Sequence, residues 1–296
     1  MHTRTQGILA YLLIAFGIAW VNWEIVLRHG FSVSSPLNYP GSFAPAIAAF
    51  VVRKWISREG FADAGLRLNL RKWRYYLVAW LLPLALVGWI VVLAPLLGLG
   101  KPDYSCARGI TYMIHAGISP SKLGHPWLLV AFLPIQAILA TPVLFGEEFG
   151  WRGYLQPKLF PGSPVVSAVV TGLIWAAWHL PVNLRGYNFP DHPYIGSLIV
   201  FPLGAIFLSV IFGWLFLRTG SIWSSSLAHA AFNVIGGTVI LLLFGGTSLL
   251  FISPGGILAL IPLGALSSWI VFTGQLKSAA SQPSESALAQ AVRAGV

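Results

Sequence analysis

An all-α polytopic membrane protein, with about eight transmembrane helices around a polar intramembrane cavity, is the fold this sequence predicts. Three observations predict it. Hydrophobic residues make up 56% of the 296 and charged residues 9%, with a mean hydropathy of +0.77, whereas a soluble domain carries about 25% charged residues. Apolar runs close to the ~20 residues that cross roughly 30 Å of hydrocarbon recur along the chain. The basic residues also cluster: Arg53, Lys54, Arg58, Arg67, Arg71, Lys72 and Arg74 crowd one loop. That clustering reads as the positive-inside bias rather than as a nucleic-acid-binding stripe, despite a net charge of +10.

Taken in order, the expected spans are 7–27, 41–56, 75–97, 127–156, 164–181, 196–217, 222–244 and 248–273. The first is long for a signal-peptide core and lacks a clear Ala-x-Ala site, so it is expected to remain as a helix. The second is short and carries Pro45. The basic loop is assigned to the cytoplasm. Alternation then puts both termini there and the 98–126 loop, with Cys106, His115 and His125, on the far side. A bacterial cytoplasmic membrane is the expected setting. The single Cys106 excludes an intrachain disulfide and a Cys-based metal cluster. Residues 1–276 read as one transmembrane domain with a motif-bearing core over about 127–245, and the Ser/Ala/Gln-rich segment 277–296 as a disordered cytoplasmic tail.

The polar residues inside the spans carry the functional signal. Only eight acidic residues occur in the chain, and Glu147 and Glu148 stand side by side in a span, where a charged group costs roughly 2.5–3.5 kcal/mol. In a regular helix Glu148 faces Arg152 four residues on, in the favourable acid-then-base order. Glu147 is rotated about 100° away and is left for other work. Two further pairs share a helical face by the same spacing: Trp175 with His179, just before Pro181, and His229 with Asn233. At 1.5 Å per residue, Glu147 lies about 14 Å, His179 about 22 Å and Asn233 about 16 Å from the cytoplasmic end of their spans. Such groups are tolerated in a membrane when they face one another or a wet cavity. One shared cavity, with Glu147 and His179 as neighbours, is therefore expected.

The blocks Glu147-Glu148-Phe-Gly-Trp-Arg152, Trp175-Ala-Ala-Trp-His179 and His229-Ala-Ala-Phe-Asn233 resemble the signature of the CPBP (CAAX protease and bacteriocin-processing, or Abi) intramembrane protease family. That family is marked by Glu-Glu-x-x-x-Arg, an aromatic-x-x-x-His block and His-x-x-x-Asn. The resemblance covers roughly 127–245. Trp175, where many members have Phe, is a mild departure expected to touch packing rather than chemistry. The resemblance implies a glutamate-dependent peptidase, similar to CAAX prenyl endopeptidases, with the first Glu, the His and the Asn as catalytic positions.

The residues themselves permit that chemistry. Glu147 is the candidate base for a water, His179 can share the water and protonate the leaving amine, and Asn233, with His229 beside it, can donate to an oxyanion. Glu148, Arg152 and Trp175 are the structural, orienting residues. Gly150 and Gly153, poor helix formers, are expected to allow close helix approach. No cofactor is expected, although a zinc ion held by Glu147, His179 and His229 remains an alternative. The expected partners are a membrane-associated protein or peptide substrate and the bilayer, with no nucleic acid. A proton-coupled transporter and a catalytically silent immunity or scaffold protein are the competing readings. The absence of a repeated pair of broken helices argues against the first.

Overall fold

The computed structural model of the chain describes residues 2–29, 36–115 and 124–276. The expected tail, 277–296, and part of the 98–126 loop lie outside the described residues. Among the described residues every regular element is helical. We number the principal helices α1 (His2–Arg28), α2 (Ala44–Val51), α3 (Trp73–Leu96), α4 (Ala107–His115), α5 (Pro126–Gly150), α6 (Pro164–Trp178), α7 (Phe201–Thr219), α8 (Ile222–Ala231), α9 (Thr238–Phe244) and α10 (Ile257–Phe272).

Among the described residues six continuous helical stretches are long and apolar enough to cross a membrane: Arg4–Arg28, Leu70–Leu96, Pro126–Leu159, Pro193–Thr219, Ile222–Phe244 and Leu249–Phe272. Two of the eight expected spans fall short of that length. The 41–56 segment is broken into a four-residue turn, the eight residues of α2 and a five-residue π turn. The 164–181 segment yields the fifteen residues of α6, about 22 Å, since the chain turns at His179 before Pro181. Pro157, in contrast, does not stop its helix. It lies in the Gln156–Leu159 segment that continues the helix, and the Gly153 carbonyl four residues before it, which a proline cannot pair, accepts from Arg53 Nη2 at 2.7 Å instead.

The helices run between two ends with different chemistry. At one end Arg4 donates to the Lys158 and Leu159 carbonyls, both at 2.7 Å, and Lys158 pairs with Glu59 at 2.7 Å. Asn69 donates to the Thr219 carbonyl, and Trp223 to that of Leu66. The basic loop 53–74 belongs to this end. Arg53, counted with its basic residues in the sequence, is almost fully buried. It ties Gly60, Asp63 and the Gly153 carbonyl together, and the Arg53 hydrogen bond holds the Asp63 carboxyl below the usual carboxylate range. At the other end Glu24 bridges Arg28 at 2.6 Å and Arg185 at 2.5 Å. The Asp103 N–H bonds the Leu243 carbonyl there. The Ser105 hydroxyl, with the Arg108 backbone N–H, lowers the Asp103 pKa.

Small residues set the packing. A Cβ on Gly150 would stand 2.4 Å from Pro45 Cβ and 2.6 Å from the Tyr11 hydroxyl, and one on Gly146 would meet the Phe43 ring at 2.7 Å. These glycines let α5 lie directly on α2 and α1. Gly172 does the same for α6 against α7, where a Cβ would come within 2.6 Å of Ile206 Cα. α8 packs along α5, and α6 along α7. The four helices that carry or border the polar blocks thus form the centre of the bundle.

Candidate active site

The Glu147-Glu148 pair ends α5, and the chain then widens into a π turn, Trp151–Leu155. A second π turn, Phe232–Gly237, follows α8 and contains Asn233. Such turns inside helices are frequent at functional sites because they re-aim side chains. α8 itself starts on firm chemistry: Gly220 adopts a left-handed φ of +64°, and the Ser221 hydroxyl caps the helix by accepting the Trp223 N–H.

The two carboxylates part as the helical rotation requires. Glu148 is fully buried and accepts from Arg152 Nη1 at 2.9 Å, the pairing its spacing predicts. The same Oε1 lies 3.0 Å from His229 Nδ1. The Arg152 guanidinium lies 5.2 Å from the ring centroids of both Trp175 and Phe212. Glu147 turns the other way and accepts the indole N–H of Trp175 at 2.8 Å. Trp175, expected to matter through packing alone, therefore also makes a polar contact that a Phe could not make.

His179 caps α6, with its Nδ1 at 3.0 Å from the Trp175 carbonyl. A carbonyl oxygen only accepts, so Nδ1 carries a proton, and in the neutral ring Nε2 then keeps its lone pair. Its ring packs edge-on against Trp178 and Phe201, with centroids 4.8 and 5.0 Å apart.

Glu147, Trp175, His179, His229 and Asn233 all line one cavity of about 370 Å³. Glu147 and His179 are thus both on its wall. Most of the remaining lining is apolar, including Phe201, Leu208, Ile240 and Leu249, so the polar groups are a patch on an oily wall. His229 is buried and engaged with Glu148, whereas Asn233 is exposed. The spacing that suggested one shared face thus leaves the two side chains in different surroundings. Of the set named for zinc, His229 has its Nδ1 at 3.0 Å from Glu148 Oε1, which leaves its Nε2 for another partner; among the described residues no three His, Cys, Asp or Glu side chains are grouped closely enough to hold a metal ion.

Two lining residues went unmarked in the sequence, Tyr187 and Asn188. They sit in the loop after α6, which is held by the Asn188–Asn183 hydrogen bond at 2.7 Å and by the Arg185–Glu24 pair. Short Asn- and Gly-containing loops are common, so no signal singled this one out. Glu24 is the acid that anchors it.

No curated protein matches the chain. The family profile described as Type II CAAX prenyl endopeptidase Rce1-like matches residues 125–235, the stretch that supplies every polar group named here from Glu147 to Asn233. This segment is similar to the Rce1-like CAAX proteases of the CPBP family.

Proposed function

We propose that this protein is an intramembrane endopeptidase that hydrolyses a peptide bond of a membrane-associated protein or peptide. Its setting is a bacterial cytoplasmic membrane, with both termini cytoplasmic. The observation that carries the reading is the meeting of Glu147, His179, His229 and Asn233, from three separate stretches of chain, on one cavity. The Rce1-like match over 125–235 agrees with it.

In this reading Glu147 is the general base. With one oxygen accepting the Trp175 N–H, it offers the other to a water, takes one proton and directs the hydroxide at the substrate carbonyl. The new C–O bond creates an oxyanion, to which the Asn233 amide donates. His179, through Nε2, receives the proton and passes it to the leaving amine as the C–N bond breaks. His229 links the cavity wall to the Glu148–Arg152 pair and keeps α8 in register with α5. No step requires a metal.

The protein purified in detergent is the test, with farnesylated CAAX-type peptides, the substrate class in the family description, alongside a set of transmembrane peptides. Wild type should cleave one of these, and Glu147→Gln and His179→Ala should not. Cleavage that survives Glu147→Gln removes the assigned base. Loss on chelation, restored by zinc, overturns the metal-free mechanism.

A further inference from the structure

The cavity is not centred between the two ends of the molecule. On one side its wall is the Tyr187–Phe189 loop with Ser253, Pro254 and Gly255. These lie at the end where Glu24 meets Arg28 and Arg185. Tyr187 is 53% exposed there. Towards the opposite end the cavity is closed. Arg152, Tyr154, Leu155, Phe212, Ser225 and Ser226 are each at most 1% exposed. They fill the space between the Glu147 level and the loop 53–74.

Charge distinguishes the two ends. Lys54, Arg58, Arg67, Arg71, Lys72 and Arg74 are all exposed at the closed end. At the open end Arg28 and Arg185 share Glu24, and Arg108 stands 3.7 Å from Asp103. Lys and Arg in short loops near helix ends are retained on the cytoplasmic side. The closed end is the cytoplasmic one.

We infer that the cavity is entered from the extracytoplasmic side, so that its substrate is a peptide segment presented at the outer membrane surface rather than a C-terminus displayed in the cytosol. The inference rests on the endopeptidase reading for the word substrate, but not for the direction of entry. It explains why the wall at that end combines an aromatic and an amide group (Tyr187, Asn188) with an apolar interior: an entering chain would meet backbone-binding polar groups beside an apolar wall.

Single-cysteine accessibility tests it. Cys106 is fully buried, so the wild type supplies the background. Tyr187→Cys on that wall, and Tyr104→Cys and Tyr194→Cys, 60% and 71% exposed, report on the open end; Arg67→Cys and Lys72→Cys report on the closed end. A membrane-impermeant maleimide should modify the tyrosine-derived cysteines in intact cells and leave them protected in sealed inverted vesicles, and the reverse should hold for the other two. Tyr187→Cys modified only in inverted vesicles overturns the inference, whatever the variants at Tyr104 and Tyr194 show. If Tyr187→Cys does not yield folded protein, protection of both Tyr104→Cys and Tyr194→Cys in intact cells overturns it equally. Whatever the labelling gives, absence of Glu147-dependent cleavage in detergent defeats only the protease reading. An impermeant form of a peptide cleaved in detergent should be cut by right-side-out vesicles and spared by inverted ones.

Discussion

Glu147 and Glu148 are adjacent in the chain and live in opposite surroundings. Glu148 is sealed among Arg152, His229 and aromatic rings, with no exposed surface. Glu147 accepts the Trp175 N–H and has a face on the cavity. A rotation of about 100° per residue produces the difference. The comparison teaches that a membrane interior can hold two carboxylates side by side when one is neutralised by a fixed partner. That pair is then a rigid base on which the other acid can be aimed. Structural and chemical duties are divided between neighbours, and substitutions should separate them.

The largest effect is expected on the sealed side. Arg152→Ala leaves Glu148 buried without its cation, and breaking a buried pair in this way costs about 3–5 kcal/mol. A large fall in the unfolding temperature in detergent checks it. On the cavity side the balance inverts: Glu147→Gln should lower the cleavage rate by about 10²–10⁴-fold, the range for a general base, with little change in unfolding temperature. Equal loss of stability from both substitutions would erase the distinction between the two acids.

Trp175→Phe sharpens it. The ring stays and the hydrogen bond to Glu147 goes, a contact of about 1.5–3 kcal/mol if the acid is charged. A fall of roughly tenfold or more in kcat, with KM nearly constant, would mark Trp175 as positioning the base. Gly150→Ala should destabilise by about 1–3 kcal/mol through overpacking, since its Cβ would meet Pro45 at 2.4 Å, and it should leave the kinetics of the folded fraction intact.

The smallest effect lies outside the membrane. The Asp63 pKa is held below its usual value of 3.8 by Arg53. A depressed folded-state pKa means stability that is present above the unfolded value and lost as pH falls through the folded one. Asp63 is mostly exposed, so the pair is worth under about 1 kcal/mol. Asp63→Asn should remove that increment at neutral pH and flatten the acid side of a stability profile below pH 3.8.

What the sequence determined by itself was the material of the site. Composition and apolar runs were enough for an all-helical membrane protein, and helical periodicity was enough to pair Glu148 with Arg152 and to free Glu147. It misjudged lengths, because a short apolar run interrupted or bounded by proline has the composition of a crossing helix without its extent, as 41–56 (Pro45) and 164–181 (Pro164, Pro181) do. The rest was settled by tertiary contacts between residues distant in the chain. Trp175 meets Glu147 across 28 positions and His229 meets Glu148 across 81. Arg53, a loop charge by sequence, is a buried tie to Gly153. The cavity's opening to one end depends on which helices are close-packed at the other. Periodicity fixes only angles around a single helix axis, whereas these contacts depend on how the axes approach, and the glycines at 146, 150 and 172 set that distance only once their neighbours are in place.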